Sequence, residues 1–254
     1  GRNHPNTFGM IGDARLTLKE IYDVLLSSSD PRTDRRQELE AVKSARLEHL
    51  GKIEPQASFV NAIRSAMPDD GILVEGVTQI GYYSRVFFPV YTPGTYLNSS
   101  YFGNLGYAYP TALGAKVARP DRAVVAVSGD GGFLFNSQEL ATAVQYGINA
   151  VVIVFNDNAY GNVLRDQITK FEGRIVGSEL NNPDFVKLAE AFGMPAWRVT
   201  QKSDVKSTIA KSLAHSGPTL IDFVVEQEDN VYPMIPAGMS VNELIEEPVN
   251  KETL

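Results

Sequence analysis

The sequence predicts an α/β protein whose sheet is doubly wound, mostly parallel and covered by helices on both faces. Three apolar runs, at residues 122–128, 150–155 and 220–225, carry this prediction. Their hydrophobic residues are continuous rather than alternating, which is typical of parallel strands buried on both faces. Stretches with helical spacing lie between the strands, and strands and helices that alternate in this way indicate an open, doubly wound sheet.

Shorter signals predict the remaining elements along the chain. Residues 1–12 suggest a loop with a short strand, and residues 13–26 form an amphipathic pattern whose helix Asp13 can cap. Residues 30–52 are dense in charges of mixed sign, which favours a solvated or linker helix and a domain boundary near residues 45–55. Short strands are expected at 72–75 and around 96–97, and further helices at 57–67, 110–118, 138–146, 182–192 and 203–216.

Composition excludes several classes of function. The chain has 254 residues, with 30 acidic and 23 basic side chains, a net charge of −7 and no basic cluster, so we expect no nucleic-acid partner. It has no cysteine, which excludes disulfides and thiolate ligands, and its three histidines lie far apart. No run of 18 apolar residues is present and the first residues of this sequence are polar, unlike a signal peptide, so we expect a cytoplasmic protein that does not cross a membrane.

Two carboxylate-bearing segments follow neighbouring predicted strands. Residues 129–132 read Gly-Asp-Gly-Gly, and residues 156–161 read Asn-Asp-Asn-Ala-Tyr-Gly. Ligands in open α/β sheets lie beyond the carboxyl ends of the strands, so we expect these two loops to converge. Helices expected to begin near Ser137 and Ala159 would point free N–H groups at the same place. Carboxylates and helix N-termini together suit a phosphate group neutralised by Mg²⁺.

Alternatives remain at this point. Either segment alone is ordinary turn composition, but the 24 residues between Gly131 and Asn156 fit one helix and one strand. A nicotinamide-binding fingerprint fails because Leu134 stands where G-x-G-x-x-G requires its third glycine, and no P-loop is present. A non-catalytic homologue or assembly domain that keeps the fold without turnover is the other alternative, although nothing structural requires two carboxylates there.

The same residues resemble a known family. Residues 129–163 look like the thiamine diphosphate motif, in which GDG is followed, one helix and one strand later, by a pair of Asn residues. Residues 103–115 resemble the G-T-M-G-x-x-L-P-A-A-I-G-A segment of the acetolactate synthase and benzoylformate decarboxylase group, and residues 231–238 resemble the end of the acetolactate synthase chain. The resemblance covers about residues 55–245. It implies the thiamine-diphosphate-binding fold, thiamine diphosphate with Mg²⁺, and a 2-oxo-acid decarboxylase or carboligase.

The resemblance also implies roles for individual residues. The side chains of Asp130 and Asp157 and the carbonyl of Ala159 would ligate Mg²⁺, although the family usually has Asn where Asp157 stands. The Gly103 carbonyl would accept a hydrogen bond from the aminopyrimidine, and Leu105 would hold the cofactor bent. The remaining implied cofactor-binding residues are Gln79, Ile80, Gly131, Gly132, Tyr160, Gly161 and Asn162.

Departures from the family pattern point away from acetolactate synthase itself. Ile80 replaces a hydrogen-bonding His, and Asn162 replaces a Met. We therefore expect a different 2-oxo acid or acyl acceptor. Arg165 has two interpretations: it binds a substrate carboxylate, or it pairs with Asp166 or Glu172.

The catalytic Glu of the family lies on an N-terminal pyrimidine-binding domain that nothing in this chain resembles. We therefore expect a fragment, inactive alone, completed by the pyrimidine-binding domain of the same or a partner chain in a homodimer or tetramer. Residues 1–30 would be the end of a preceding middle domain and 31–54 a charged linker helix. Residues 55–228 would bind the cofactor, and 229–254 would form a C-terminal tail.

Overall fold

The computed structural model describes residues 5–28, 33–227, 233–235 and 238–245, which form two compact units that divide between Arg46 and Leu47. The first unit contains helix α1 (Ala14–Ser28), none of whose residues is buried, and the start of α2 (Arg36–Leu50). The short strand predicted within residues 1–12 is wrong for residues 5–12, which pair with no other strand. The assignment of the four predicted segments to domains stays a prediction.

The second unit is built on a six-stranded sheet in which every strand pair is parallel. The strands are β1 (Ile72–Glu75), β2 (Tyr96–Asn98), β3 (Val124–Gly129), β4 (Val151–Asn156), β5 (Ala196–Val199) and β6 (Thr219–Val224). Their order is β2-β1-β3-β4-β6-β5. This confirms the predicted α/β class and the parallel sheet.

Helices cover both faces of this sheet. They are α3 (Gln56–Ala66), α4 (Gln79–Phe87), α5 (Ala108–Ala118), α6 (Asp130–Leu134), α7 (Glu139–Gln145), α8 (Gly161–Lys170), α9 (Phe185–Ala191) and α10 (Val205–Ala214). Two short 3₁₀ helices cover Lys202–Asp204 and Val241–Glu243.

Two hydrophobic layers hold the helices to the sheet, because successive strand residues point to opposite faces. On one face α3, α4 and α10 pack on the strands, and the ring of Phe59 meets Phe155 edge-on with 5.3 Å between centroids. On the other face α5, α7 and α9 pack around Phe133, whose ring centroid lies 5.6 Å from Tyr109 and 5.8 Å from Phe185.

Three elements differ from the sequence-based expectation. Residues 129–132 were expected to be a turn-forming loop, yet α6 begins at Asp130 directly after β3. Helix α4 was not predicted because its Gly and aromatic residues favour helix only weakly; the Thr78 side chain caps it by accepting from the Gly81 N–H at 2.8 Å. Strand β5 was also missed because it lies at the sheet edge and buries only Val199.

The strand order places a ligand site at the carboxyl ends of the inner strands β1 and β3. From β1 the chain passes to β2 on one side, and β3 lies on the other side of β1. The carboxyl ends of strands at such a switch point border an open crevice.

In the tail, Met234 and Ile245 form an isolated bridge, and residues 229–232, 236, 237 and 246–254 of the predicted tail lie outside the described residues. None of the helices described is long and apolar enough to cross a membrane.

Candidate functional site

A cavity of about 340 Å³ opens at the carboxyl ends of β1, β3 and β4. All twelve residues that the sequence predicts to bind the cofactor line this cavity. They come from the starts of α4, α6 and α8, from the β4–α8 loop, and from the segment between β2 and α5. The structure therefore brings the predicted set together, while the role of each residue toward a ligand stays a prediction.

Asp130 is the most enclosed acidic group of the cavity, with 1 % of its surface exposed. Its Oδ1 accepts from the Gly131 N–H at 2.7 Å. Its Oδ2 accepts from the Asn158 N–H at 2.7 Å and from Asn182 Nδ2 at 2.6 Å. Burial raises the pKa of Asp130, and these donors act against that rise. The carboxylate thus has hydrogen-bond partners but no positively charged one among them.

Asp157 adds a second carboxylate from the loop after β4. Its Oδ1 accepts from the Ala159 N–H at 3.2 Å. Burial and the negative charge of Asp130 raise the pKa of Asp157 to about 6. Two partly desolvated carboxylates that repel each other in this way are stabilised by a cation placed between them.

The charges of the lining decide which ligand fits. Within the described part of the chain, the cavity is lined by Asp130, Asp157 and Glu226 but by no Lys, Arg or His. The described residues hold no group of three His, Asp or Glu side chains arranged as a metal site. Mg²⁺ needs only one or two carboxylates when phosphate oxygens and water complete its shell, so these residues fit a magnesium-bound phosphate ligand. Without the cation, the acidic lining would repel a diphosphate.

Glycines let the cavity walls approach closely. A Cβ on Gly131 would lie 2.3 Å from Cε1 of Tyr160, so only glycine allows this ring to pack there. The position of a Cβ on Gly161 lies 3.7 Å from both Gln79 Nε2 and Asp157 Oδ2, so these two side chains both lie beside Gly161. Asn162 follows Gly161 at the exposed start of α8.

Ile80 and Leu105 have different surroundings in the same cavity. Ile80 is 5 % exposed and belongs to the hydrophobic cluster under α4, so it contributes packing and no hydrogen bond. Leu105 is half-buried, and its Cδ2 lies 3.7 Å from the position of a Cβ on Gly132. Gly103, with φ +59°, is exposed beside it. Leu105 thus stands at the wall formed by the Gly-Asp-Gly-Gly segment.

Sequence reasoning missed Asn182. Its Nδ2 donates both to Asp130 and, at 2.9 Å, to Asn156 Oδ1. Asn156 Nδ2 in turn donates to Asp222 Oδ1 at 3.0 Å, and Arg198 Nε donates to Asp222 Oδ2 at 2.9 Å. A chain of hydrogen bonds from Asn182 through Asn156 to Asp222 therefore holds the carboxylate of Asp130 in its orientation. The Asn-Pro pair before α9 signals only a turn, so no local pattern indicates this contact.

The structure favours one interpretation of Arg165. Its Nη2 lies 3.1 Å from Asp166 Oδ1, and its Nη1 lies 3.9 Å from the sulfur of Met234. Arg165 is absent from the residues that line the cavity. The ion pair with Asp166 is thus the observed role, and the contact with a substrate carboxylate finds no support.

Comparison with known proteins gives the family. A profile described as thiamine pyrophosphate enzyme, C-terminal TPP binding domain, matches residues 76–223; thiamine pyrophosphate, or TPP, is thiamine diphosphate. The chain is similar to a probable acetolactate synthase large subunit of Methanocaldococcus jannaschii, with 31 % identity over 99 % of this chain and 44 % of that protein. It is also 32 % identical to the acetolactate synthase large subunit of Corynebacterium glutamicum, over 92 % of this chain and 40 % of that protein.

A solved structure agrees with these relatives. The thiamine diphosphate-dependent 4-hydroxybenzoylformate decarboxylase of Rhodococcus jostii RHA1 matches with a TM-score of 0.64 and 30 % identity, over 69 % of this chain and 33 % of that chain. The chain spans less than half the length of all three proteins. The family profile covers more than half of the chain and includes both Asp130 and Asp157. The chain therefore belongs to the thiamine pyrophosphate enzyme family, as a C-terminal TPP binding domain.

Proposed function

We propose that this chain supplies the Mg²⁺- and diphosphate-binding part of the active site of an enzyme that decarboxylates or joins 2-oxo acids. The observation that carries the proposal is the pair Asp130 and Asp157 in a cavity whose described lining is acidic and includes no basic side chain. Thiamine diphosphate enzymes of this group also use Mg²⁺, which is the cation that such a pair requires for a diphosphate.

Each part of the cavity has a task in this proposal. The carboxylates of Asp130 and Asp157 and the carbonyl of Ala159 hold Mg²⁺. N–H groups and side chains at the starts of α4, α6 and α8 would hold the diphosphate; they belong to Gln79, Gly131, Gly132, Tyr160, Gly161 and Asn162. When bound, thiamine diphosphate supplies an electron sink for decarboxylation. The chain itself binds and orients the cofactor and excludes water from it.

The segment between β2 and α5 would hold the rings of the cofactor. Leu105 is the apolar side chain that supports them, and the Gly103 carbonyl accepts from the aminopyrimidine. The segment is held in place because Asn136 Nδ2 donates to the Gly106 carbonyl at 2.7 Å. This anchoring, together with the half-buried position of Leu105, supports the positioning role.

A pyrimidine-binding domain, on the same or a partner chain, would complete the active site and supply the catalytic Glu. The exposed aromatic side chains of Tyr101 and Phe102, which directly precede Gly103, support a partner surface here. A homodimer or tetramer in the cytoplasm is the arrangement we propose. The relatives named above are acetolactate synthases, and the proposal of a different 2-oxo acid or acyl acceptor rests on Ile80 and Asn162.

The proposal is tested by calorimetric titration of thiamine diphosphate into the chain, with Mg²⁺ and with EDTA. We expect binding only with Mg²⁺, and loss of binding in the Asp130→Ala variant because the metal loses a ligand. Asp121→Ala is the matched control, since Asp121 is exposed, pairs with Arg119 and lies outside the cavity lining. We expect that variant to bind like the wild type.

Two results would contradict the proposal. One is binding that persists in EDTA or in Asp130→Ala. The other is absence of binding by the wild-type chain both alone and when joined to a pyrimidine-binding domain, which would favour the alternative of a non-catalytic assembly domain.

A further inference from the structure

A buried amide of the cavity has no partner. Gln56, the first residue of α3, is 1 % exposed, and it lines the same cavity as Asp130 and Asp157. Neither its Oε1 nor its Nε2 has a hydrogen-bond partner among the described residues. Buried amides are almost always hydrogen-bonded because desolvation without a partner is costly. An unpaired one in the wall of a binding cavity indicates a contact that a ligand makes.

The position of Gln56 follows from the topology. Helix α3 runs back along the sheet into β1, so its N-terminus lies at the carboxyl edge, where the cavity opens. Phe59, three residues along the same helix face, packs on Phe155 and Phe223, with ring centroids 5.3 and 6.1 Å away. Gln56 therefore stands one turn beyond Phe59, over the ends of β4 and β6, and Asp157 follows β4.

The surroundings select the chemistry of the ligand. Among the residues that the structure describes, the lining has no Lys, Arg or His, so neutral donors must bind an anion there alongside the cation. The N-terminus of the eleven-residue α3 carries partial positive charge and, like the Gln79 end of α4, favours phosphate oxygens. A primary amide has two N–H donors for such oxygens, and its carbonyl accepts from water that Mg²⁺ retains when it binds a diphosphate.

We propose that Gln56 is a further diphosphate-binding residue, whose Nε2 donates to a phosphate oxygen of the magnesium-bound cofactor. This rests on the proposed function, because it assumes that the cavity takes a diphosphate. It adds a contact from α3, which none of the residues predicted from the sequence supplies. The competing occupant is the carboxylate of a 2-oxo acid.

The test uses magnesium pyrophosphate, a probe that lacks both rings of the cofactor and thus needs no pyrimidine-binding domain. Its affinity is measured by calorimetry for the wild-type chain, Gln56→Met and Gln56→Glu. We expect Gln56→Met to bind about tenfold more weakly, because it keeps the length of the side chain and loses the donor. Gln56→Glu should bind more weakly still, since it adds a repelling charge. Gln145→Met, at an exposed position of α7, is the matched control.

A second readout separates ligand binding from a structural role. Without ligand, Gln56→Met should melt at the same or a higher temperature than the wild type, because it removes an unpaired buried amide. Equal affinity of the wild type and Gln56→Met for magnesium pyrophosphate would overturn the inference about Gln56 and leave the proposed function standing. Weaker binding of pyruvate with unchanged pyrophosphate affinity would assign Gln56 to the substrate and overturn it too. If the wild type bound no magnesium pyrophosphate, the proposed function would fail with it.

Discussion

Two buried carboxylates lie at the carboxyl ends of neighbouring strands, and they differ in the charge of the groups that donate hydrogen bonds to them. Glu75 ends β1, and Asp130 follows β3; each is 1 % exposed. Arg85 approaches Glu75 through two nitrogens, with Nη2 2.8 Å from Oε1 and Nε 3.0 Å from Oε2, and the Tyr96 hydroxyl donates at 3.0 Å. Among the described residues Asp130 receives neutral donors only, and its negative charge acts on Asp157 in the same cavity.

This difference separates a structural carboxylate from one suited to a ligand. Burial raises the pKa of both groups, but at Glu75 the charge of Arg85 acts against the rise. The Glu75 pair is therefore complete within the chain and ties α4 to β1. At Asp130 the protein supplies orientation without neutralisation, which leaves that task to a cation from outside.

The largest effect is expected where the internal counter-ion is removed. Arg85→Met leaves Glu75 buried beside Tyr96 without a positive charge. We expect the free energy of unfolding to fall by about 3 kcal/mol, the lower end for a broken buried pair because Arg85 is one-third exposed. Urea unfolding measures this loss.

The matched control for this prediction is Arg119→Met. Arg119 also approaches its partner through two nitrogens, at 2.9 and 2.6 Å, but the carboxylate of Asp121 is exposed. We expect no appreciable loss of stability there, because water screens an exposed ion pair. Equal losses in the two variants would show that burial of Glu75 does not decide the strength of its pair. Adding Glu75→Gln to Arg85→Met should restore part of the lost stability.

A smaller effect is expected from the residue that orients Asp130. Asn182→Ala removes the Nδ2 that donates to Asp130 and Asn156. We expect about 1–3 kcal/mol lower stability without metal, and Mg²⁺ affinity about 10- to 100-fold weaker, because the carboxylate loses its fixed orientation. Unfolding in EDTA and titration of Mg²⁺ with thiamine diphosphate measure the two effects.

Asn181→Ala provides the control, since Asn181 is the exposed neighbour of Asn182. It should change neither quantity appreciably. A loss of stability in Asn182→Ala with unchanged Mg²⁺ affinity would mean that Asn182 supports the fold but does not orient the metal ligand.

The Glu75–Arg85 ion pair and the two carboxylates of Asp130 and Asp157 also differ in how far they could be predicted from the sequence. Asp130 and Asp157 each follow a continuous apolar strand, so local patterns predicted both the strands and the carboxylates at their ends. Glu75 ends a strand that was predicted with its observed bounds, but its partner Arg85 lies on α4, which was not predicted. The Thr78 cap of that helix is local, but its apolar face depends on burial of Ile80 and Tyr83, which is a tertiary feature.

Contacts between distant segments account for most of what the sequence did not show. Asn182 contacts Asp130 across 52 residues of sequence. Gln56 lines the cavity because it begins α3, the helix that leads into β1. A single polar residue carries no periodic signal of burial, so its partners emerge only when the sheet order is known. Strand β5 was missed for a related reason, since an edge strand with one buried side chain resembles a loop.

The smallest change in stability in this comparison, and one of opposite sign, is expected at Asp157. Asp157→Asn keeps the Oδ1 that accepts from Ala159 but removes the charge that repels Asp130. At pH 8 in EDTA we expect unfolding to require about 1 kcal/mol more free energy, because the folded state no longer holds two unneutralised carboxylates together. In Mg²⁺ the gain should shrink or reverse, since the variant binds the cation less strongly.

Asp166→Asn is the matched control: its carboxylate already pairs with Arg165 and Lys170, so losing the charge should lower stability slightly. A loss of stability in Asp157→Asn in EDTA would mean that the chain itself neutralises Asp157, and the contrast with Glu75 would then disappear.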